Sequence, residues 1–385
     1  MTELEKMLAG GLYDFSDAEL AEQFREGRRR VERFNRTPAD DAAGEVLDAK
    51  GGWLLPGLIE LHTDNLDKFF TPRPKVDWPA HSAMSSHDAM MVASGITTVL
   101  DAVAIGDVRD GGDRLENLEK MVNAVEETQK RGLNRAEHRL HLRCELPHHT
   151  TLPLFEKLVQ REPVTLVSLM DHSPGQRQYA DRSKYRDYYQ GKYHLTNDEM
   201  DRFEAEQMAL AATWSQPNRQ TIAAMCRARR IALASHDDAT EAHVAESSQL
   251  GSVIAEFPTT LAAAQASRQH GMHVLMGAPN IVRGGSHSGN IAAHQLASSG
   301  LLDILSSDYY PASLLDAAFR IADAEDNAFT LAQAIRLVSK HPAQALGLDD
   351  RGVIAEGKRA DLVLAHRRGE HVHIDHVWRQ GTRVF

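Results

Sequence analysis

The sequence predicts an α/β fold: a (β/α)8 barrel with a small β domain from the C-terminal tail and a helical segment at the N-terminus. Two observations carry this expectation. From Gly52 onward, short runs rich in Val, Ile and Leu alternate with amphipathic segments, the pattern of repeated βα units on a parallel sheet. After about residue 350 the pattern changes to short alternating strands such as ADLVLAH and HVHIDHVW. The expected boundaries are 1–45 for the helical leader, 46–350 for the barrel and 351–385 for the tail's part of the β domain.

Composition narrows the function classes. The chain has 385 residues, 42% apolar and 25% charged, which suits a folded protein and is too hydrophobic for general disorder. No stretch approaches the roughly 20 apolar residues of a membrane span. The N-terminus carries acids where a secretory signal would place basic residues, so a cytoplasmic protein is expected. Two cysteines, Cys144 and Cys226, exclude a disulfide framework or a thiolate zinc cluster, so any metal must use His, Asp or Glu. The formal charge of −11 argues against a nonspecific nucleic-acid coat, and a polyanionic substrate would need a locally basic pocket.

Residues 1 to about 36 read as amphipathic helix, with Leu8, Leu12, Phe15, Leu20, Phe24, Val31 and Phe34 as apolar positions. Eight apolar runs follow: WLLPGLIELH, GITTVLDA, LHLRCE, VTLVSLMDH, IALASHDD, VIAEFPTT, HVLMGAPN and LLDILSSDY. Between them, Glu116–Gly132, Leu152–Arg161, Gln220–Arg230 and Leu261–Gly271 read as helices that end in a basic residue or Gly. One connection breaks the rhythm: Ser173–Asn218 is long, polar and rich in Tyr and Arg, and is read as a functional or disordered loop.

In such barrels the active site lies where the strands end. Here the ends are polar: His62-Thr63-Asp64, Glu145, Asp171-His172, His236-Asp237-Asp238 and Asp308. His62 and Asp64, two apart on a strand, share a face. Imidazole and carboxylate donors suit zinc, manganese or iron, and Asp64, Glu145, Asp308 and one hydroxide would neutralise two divalent ions. His366, His371, His373 and His376 read as a solvated strand face, and His148 and His149 as rim residues.

After the seventh run, Arg283, Gly284, Gly285, Ser286 and His287 occupy a turn able to offer backbone N–H groups to an anion, at the usual phosphate position of these barrels. The segment 173–193 carries Arg177, Arg182, Lys184, Arg186 and Lys192 against Asp181 and Asp187. With Lys68, Arg73 and Lys75 it would ring the barrel mouth with cations suited to several phosphates.

Together these residues resemble the amidohydrolase superfamily, whose barrels carry an HxH motif on strand one, a bridging Lys or Glu, two further His and a last-strand Asp. HPAQALGLDDRGVIAEGKRADLVL is similar to the segment by which many members enter their small β domain. GGWLLPGLIELHTDNLDKFFTPRPKVDWP, HLRCELPHHTTLPLFEKL, SLMDHSPGQRQ, ASHDD, GAPNIVRGGSHSGN and SSDYYPASLLDAAFR resemble its phosphonate-catabolism branch, from about Gly51 to Phe385.

That resemblance implies a hydrolase of the carbon–phosphorus lyase pathway that cleaves α-D-ribose 1-methylphosphonate 5-triphosphate to the 5-phosphate and pyrophosphate. It implies His62, Asp64, His172 and His236 as ligands of two metal ions bridged by Glu145 and a hydroxide, with Asp308 binding one ion and receiving the water's proton. Zinc is the first expectation, manganese or iron the alternatives. The substrate contacts expected from the basic mouth and the glycine turn are Arg73, Lys75, Arg177, Arg283, Gly284, Gly285, Ser286 and His287, and the expected partner is a phosphorylated small molecule, with no membrane or nucleic acid and with a homo-oligomer as one option. HTD stands where HxH is usual, so Asp64 replaces a His ligand, and Glu145 takes the place of the modified Lys.

Residues 1 to about 36, with EKMLAGGLYD, resemble instead the helical leader of sugar O-acetyltransferases, and no hexapeptide repeats follow. Members of the branch begin with strands that join the tail, so the leader is expected to stem from a fusion or an altered gene start. The rival readings are a cyclic amidohydrolase or deaminase and, in another class, a noncatalytic phosphate-binding subunit.

Overall fold

The structure is a computed structural model that describes residues 47–73, 75–106, 113–286 and 289–385. The expected N-terminal helix, to residue 36, lies outside them. No helix among the described residues is long and apolar enough to cross a membrane.

The run WLLPGLIELH is two strands rather than one. β1 (Trp53–Pro56) pairs antiparallel with β10 (Leu362–Arg368), and β2 (Leu58–Thr63) opens the barrel. Gly57 makes the crossing: its N–H donates to the Asp361 carbonyl at 2.7 Å, and a Cβ there would meet Thr97 Oγ1 at 2.3 Å. The small sheet continues from β10 to β11 (His371–Arg379) and β12 (Thr382–Arg383). Its inner residues Leu55, Val363 and Val377 share one apolar cluster with Leu314 and Phe319 of the helix Ser313–Asp323, which follows the last barrel strand.

The barrel strands run in chain order: β2, β3 (Ile96–Ile105), β4 (Glu137–Glu145), β5 (Val164–Met170), β6 (Ala232–His236), β7 (Ile254–Glu256), β8 (His273–Gly277) and β9 (Ile304–Ser306). Every neighbouring pair is parallel. A parallel bridge between Thr63 and Asp308 closes the ring: the Asp308 N–H donates to the His62 carbonyl at 3.0 Å, and the Asp64 N–H to the Asp308 carbonyl at 2.9 Å. The strands are buried on both faces, which explains their near-continuous apolar reading.

The helices that position the site are α1 (Leu66–Phe70), α2 (Ala80–Ala93), α3 (Asp113–Lys130) and α4 (Thr151–Leu158), then α5 (Arg182–Tyr193) and α6 (Asn197–Arg229), and after them α7 (Glu241–Gln249), α8 (Leu261–Gln269) and α9 (Ala278–Arg283). α5 and α6 correct the loop expectation for Ser173–Asn218. Asp181 caps α5 by accepting from the Ser183 N–H, His194 ends it in the left-handed region, and Thr196 with Glu199 forms a capping box for the 33-residue α6. The pair carries its own core of Tyr179, Tyr185, Tyr189, Met200 and Phe203. Its apolar face is made largely of tyrosines, so a hydropathy reading undercounts it.

Candidate active site

The strand ends open into one cavity of about 420 Å³, lined by His62, Asp64, Glu145, His172, His236 and Asp308, so all six expected ligands converge there. Three of the turns that aim them carry non-glycine residues with positive φ: Asp237 (56°), Phe257 (53°) and Asp308 (54°). Such strain persists only where the surroundings impose it, and at Asp308 the two seam hydrogen bonds do so.

Two donor groups form. His62, Asp64 and Asp308 place one ligand atom each within 4.8 Å of the others, and so do His172, His236 and Asp237. Behind both sits Glu256, which the sequence reading passed over. It is fully buried, with Oε1 3.1 Å from His62 Nδ1 and Oε2 3.1 Å from His236 Nδ1. Burial opposes its ionisation, but His141 and His62 hold the carboxyl well below the usual range, so it accepts from both rings. That leaves each Nε2 on the cavity side, 3.7 Å from Asp64 and 3.5 Å from Asp237. A carboxylate that orients two imidazoles in this way is the common support behind metal-ligating histidines.

His172 meets carboxylates at both ring nitrogens, Glu145 at Nδ1 (2.6 Å) and Asp237 at Nε2 (3.6 Å). Its backbone N–H also donates to Glu145 at 3.0 Å. Against the cost of burial, Glu145 and Asp237 raise His172 to about 10, and Glu256 raises His62. The site is thus built for positive charge where the donors converge, and its donor chemistry fits divalent ions. Asp171 takes no part: it accepts from Arg219 at 3.0 Å and from Ser173.

Arg143 is the second residue the sequence reading missed. It leaves β4 two residues before Glu145, so it shares that residue's face, and its guanidinium donates to Asp64 at 2.5 Å inside the cavity. Asp308, partly shielded nearby, has its pKa raised by burial, with the Asp64 charge adding to the effect.

The expected substrate contacts divide. Arg283, Gly285 and Ser286 line the cavity, whereas Gly284 does not. The backbone N–H groups of Gly284 and Gly285 are spent on the Asn280 and Ile281 carbonyls as the C-cap of α9, so they do not form the expected anion cradle. His287 lies outside the described residues. Arg73 and Lys75 do not line the cavity; they sit in an exposed turn closed by an Arg73–Val76 bridge. Arg177 is buried and turned away, paired with Asp238 and with Glu246 at 3.0 Å. That pairing spends its charge on anchoring the insertion to β6 and α7. The insertion instead sends Tyr179, Tyr188, Tyr189 and Lys192 to the cavity. His148 is buried on Thr150 and, like His149, lies outside the cavity lining.

Residues 93–385 match the amidohydrolase family, and residues 6–47 match the maltose acetyltransferase hexapeptide capping motif. The chain is 84% identical over 341 residues to an alpha-D-ribose 1-methylphosphonate 5-triphosphate diphosphatase of Escherichia coli (strain K12), covering 89% of this chain and 90% of that protein. Among solved structures it resembles an amidohydrolase (16% identity, TM-score 0.57, 90% of each chain). A prolidase complexed with N-methylphosphonate-L-proline is similar at 16% identity and TM-score 0.54, over 89% of this chain and 91% of that one. These two likenesses show a shared fold.

Proposed function

The chain belongs to the amidohydrolase family, and from that premise we propose that it hydrolyses α-D-ribose 1-methylphosphonate 5-triphosphate to the 5-phosphate and pyrophosphate. The observation that carries this reading is the 84% identity, over nearly nine-tenths of the chain, to a diphosphatase of that substrate. The cavity cations Lys192 and Arg283 support it over a cyclic amide hydrolase or deaminase, whose substrates carry less charge.

The residues that would hold two divalent ions are His62, Asp64, Glu145, His172, His236 and Asp308, with Asp237 as a further donor. Zinc is the first candidate, manganese or iron the next. When bound, such ions supply a water ionised near neutral pH and polarise phosphoryl oxygens. Glu256 holds the His62 and His236 rings so that their Nε2 atoms face the cavity. Asp308 takes the attacking water's proton, since its carboxylate lies in the cavity beside the His62 and Asp64 donors where that water would be held. Arg143, fixed by Asp64, offsets the charge that develops at the attacked phosphorus, and Arg283 offsets the charge of the leaving pyrophosphate.

Phosphorus NMR of the metal-loaded protein with this triphosphate tests the reading. Pyrophosphate together with a 5-monophosphate is expected, from attack at the α-phosphorus. Stepwise release of single phosphate would move the attack to the terminal phosphorus and overturn it.

A further inference from the structure

The cavity has two unlike walls. β5 and β8 stand three places apart in the ring of eight strands, so the segments that follow them face each other across the mouth. After β8 the wall is polar, with Asn280, Arg283 and Ser286. After β5 it is aromatic, with Tyr179, Tyr188 and Tyr189, and carries one cation, Lys192. The Lys192 ammonium lies 5.4 Å from the ring centre of Tyr188, 5.9 Å from that of Tyr189 and 5.3 Å from that of Tyr193.

Three of the other four cations in 173–193 are already spent. Arg177 is paired with Asp238 and Glu246, Arg182 with Glu204, and Arg186 with Glu204 and Asp201. Lys192 has no carboxylate partner among the described residues, and it is the insertion's cation that lines the cavity. Ring contacts run from the reaction centre to it: His172 to Tyr179 at 6.1 Å, then Tyr179 to Tyr188 at 6.1 Å.

The substrate of the proposed reaction also has two unlike ends. A methylphosphonate monoester carries a single negative charge and an apolar methyl group, whereas a triphosphate carries several charges and nothing apolar. We propose that Lys192 with the Tyr188 and Tyr189 rings forms the subsite for the alkylphosphonate end, the anion on the ammonium and the methyl on the rings, while the Arg283 wall receives the departing pyrophosphate. This inference rests on the diphosphatase reading.

The test compares the metal-loaded full chain and its Lys192→Gln variant on two substrates, the complete triphosphate and ribose 5-triphosphate, which lacks the phosphonate. Losing one charge-assisted hydrogen bond raises KM for the complete substrate roughly tenfold with kcat nearly unchanged. KM for ribose 5-triphosphate stays within about twofold, because the variant removes a contact that substrate never makes. Lys192→Arg restores most of the loss. An equal rise on both substrates would place Lys192 on the triphosphate, and no rise on either would remove it from the substrate altogether; each overturns the subsite and leaves the reaction standing. Calorimetry with ribose 1-methylphosphonate separates the two claims. Binding that depends on Lys192, in a protein that cleaves neither triphosphate, would keep the subsite and discard the diphosphatase reading.

Discussion

Glu256→Gln isolates the least visible part of the site. The substitution keeps the volume of a fully buried side chain and removes its charge. In the native protein both oxygens accept, from Nδ1 of His62 and Nδ1 of His236, each at 3.1 Å. An amide offers an oxygen to one ring and an N–H to the other. The ring that faces the N–H must turn its Nδ1 into an acceptor, so its proton moves to Nε2, the nitrogen on the cavity side. One of the two imidazoles is then lost as a donor toward an ion. Disturbing such a supporting carboxylate lowers metal affinity by roughly 10–100-fold, or about 1.4–2.7 kcal/mol. Chelator competition on the purified variant measures this, with circular dichroism confirming that the barrel remains folded. Turnover should return in part when metal is supplied in large excess, since the nucleophile and Asp308 are untouched. Affinity within a factor of two of the native value would refute the assignment of Glu256 as the element that orients both rings.

Two further outcomes follow from the same geometry and from a cluster outside it. Asp308→Asn should lower kcat by roughly 10²–10⁴ while metal content, read by elemental analysis, falls far less; equal loss of both would reduce Asp308 to a ligand. On the outer side of the barrel His138 is buried between Asp101 (2.7 Å) and Asp88 (3.3 Å), and these carboxylates, against the cost of burial, raise it to about 9 from 6.5. A histidine whose folded pKa lies above its unfolded one stabilises fully below 6.5 and loses that contribution as pH rises through 9. The shift corresponds to roughly 3 kcal/mol at about 1.36 kcal/mol per pH unit. Stability against urea should therefore fall between pH 6.5 and 9 in the native protein, and His138→Gln should flatten that slope. An unchanged slope in the variant would show that other groups set it.

The barrel could be read from the sequence because its strands are buried on both faces, and five of the eight apolar runs close on His, Asp or Glu, so the runs and those closures mark the strand ends. Glu256 could not be read in that way. It ends β7, but the run VIAEFPTT continues through Phe257 and Pro258, so nothing in the sequence marks the strand end there. Yet a lone carboxylate in an otherwise apolar strand is itself a signal, since a charge buried there must have partners. Arg143 was hidden differently. It stands inside LHLRCE rather than at its end, and only strand periodicity, counted back from Glu145, aims it into the cavity.

Charge counting failed at the mouth for a reason the ion pairs make explicit. Five cations in 173–193 predicted a ring of positive charge, with Arg177 among its contacts. A cation attracts substrate only if its charge is unspent, and that depends on partners far away in sequence: Glu246 is 69 residues from Arg177, and Glu204 lies on the next helix from Arg182 and Arg186. The Arg177 pair ties the insertion to the barrel's α7, and the Arg182 and Arg186 pairs tie α5 to α6 within it. Lys192, seated on tyrosine rings rather than carboxylates, keeps its charge for the cavity. The insertion thus separates two tasks that a linear count merges: most of its cations fix where the aromatic wall stands, and one reads what comes to rest against it.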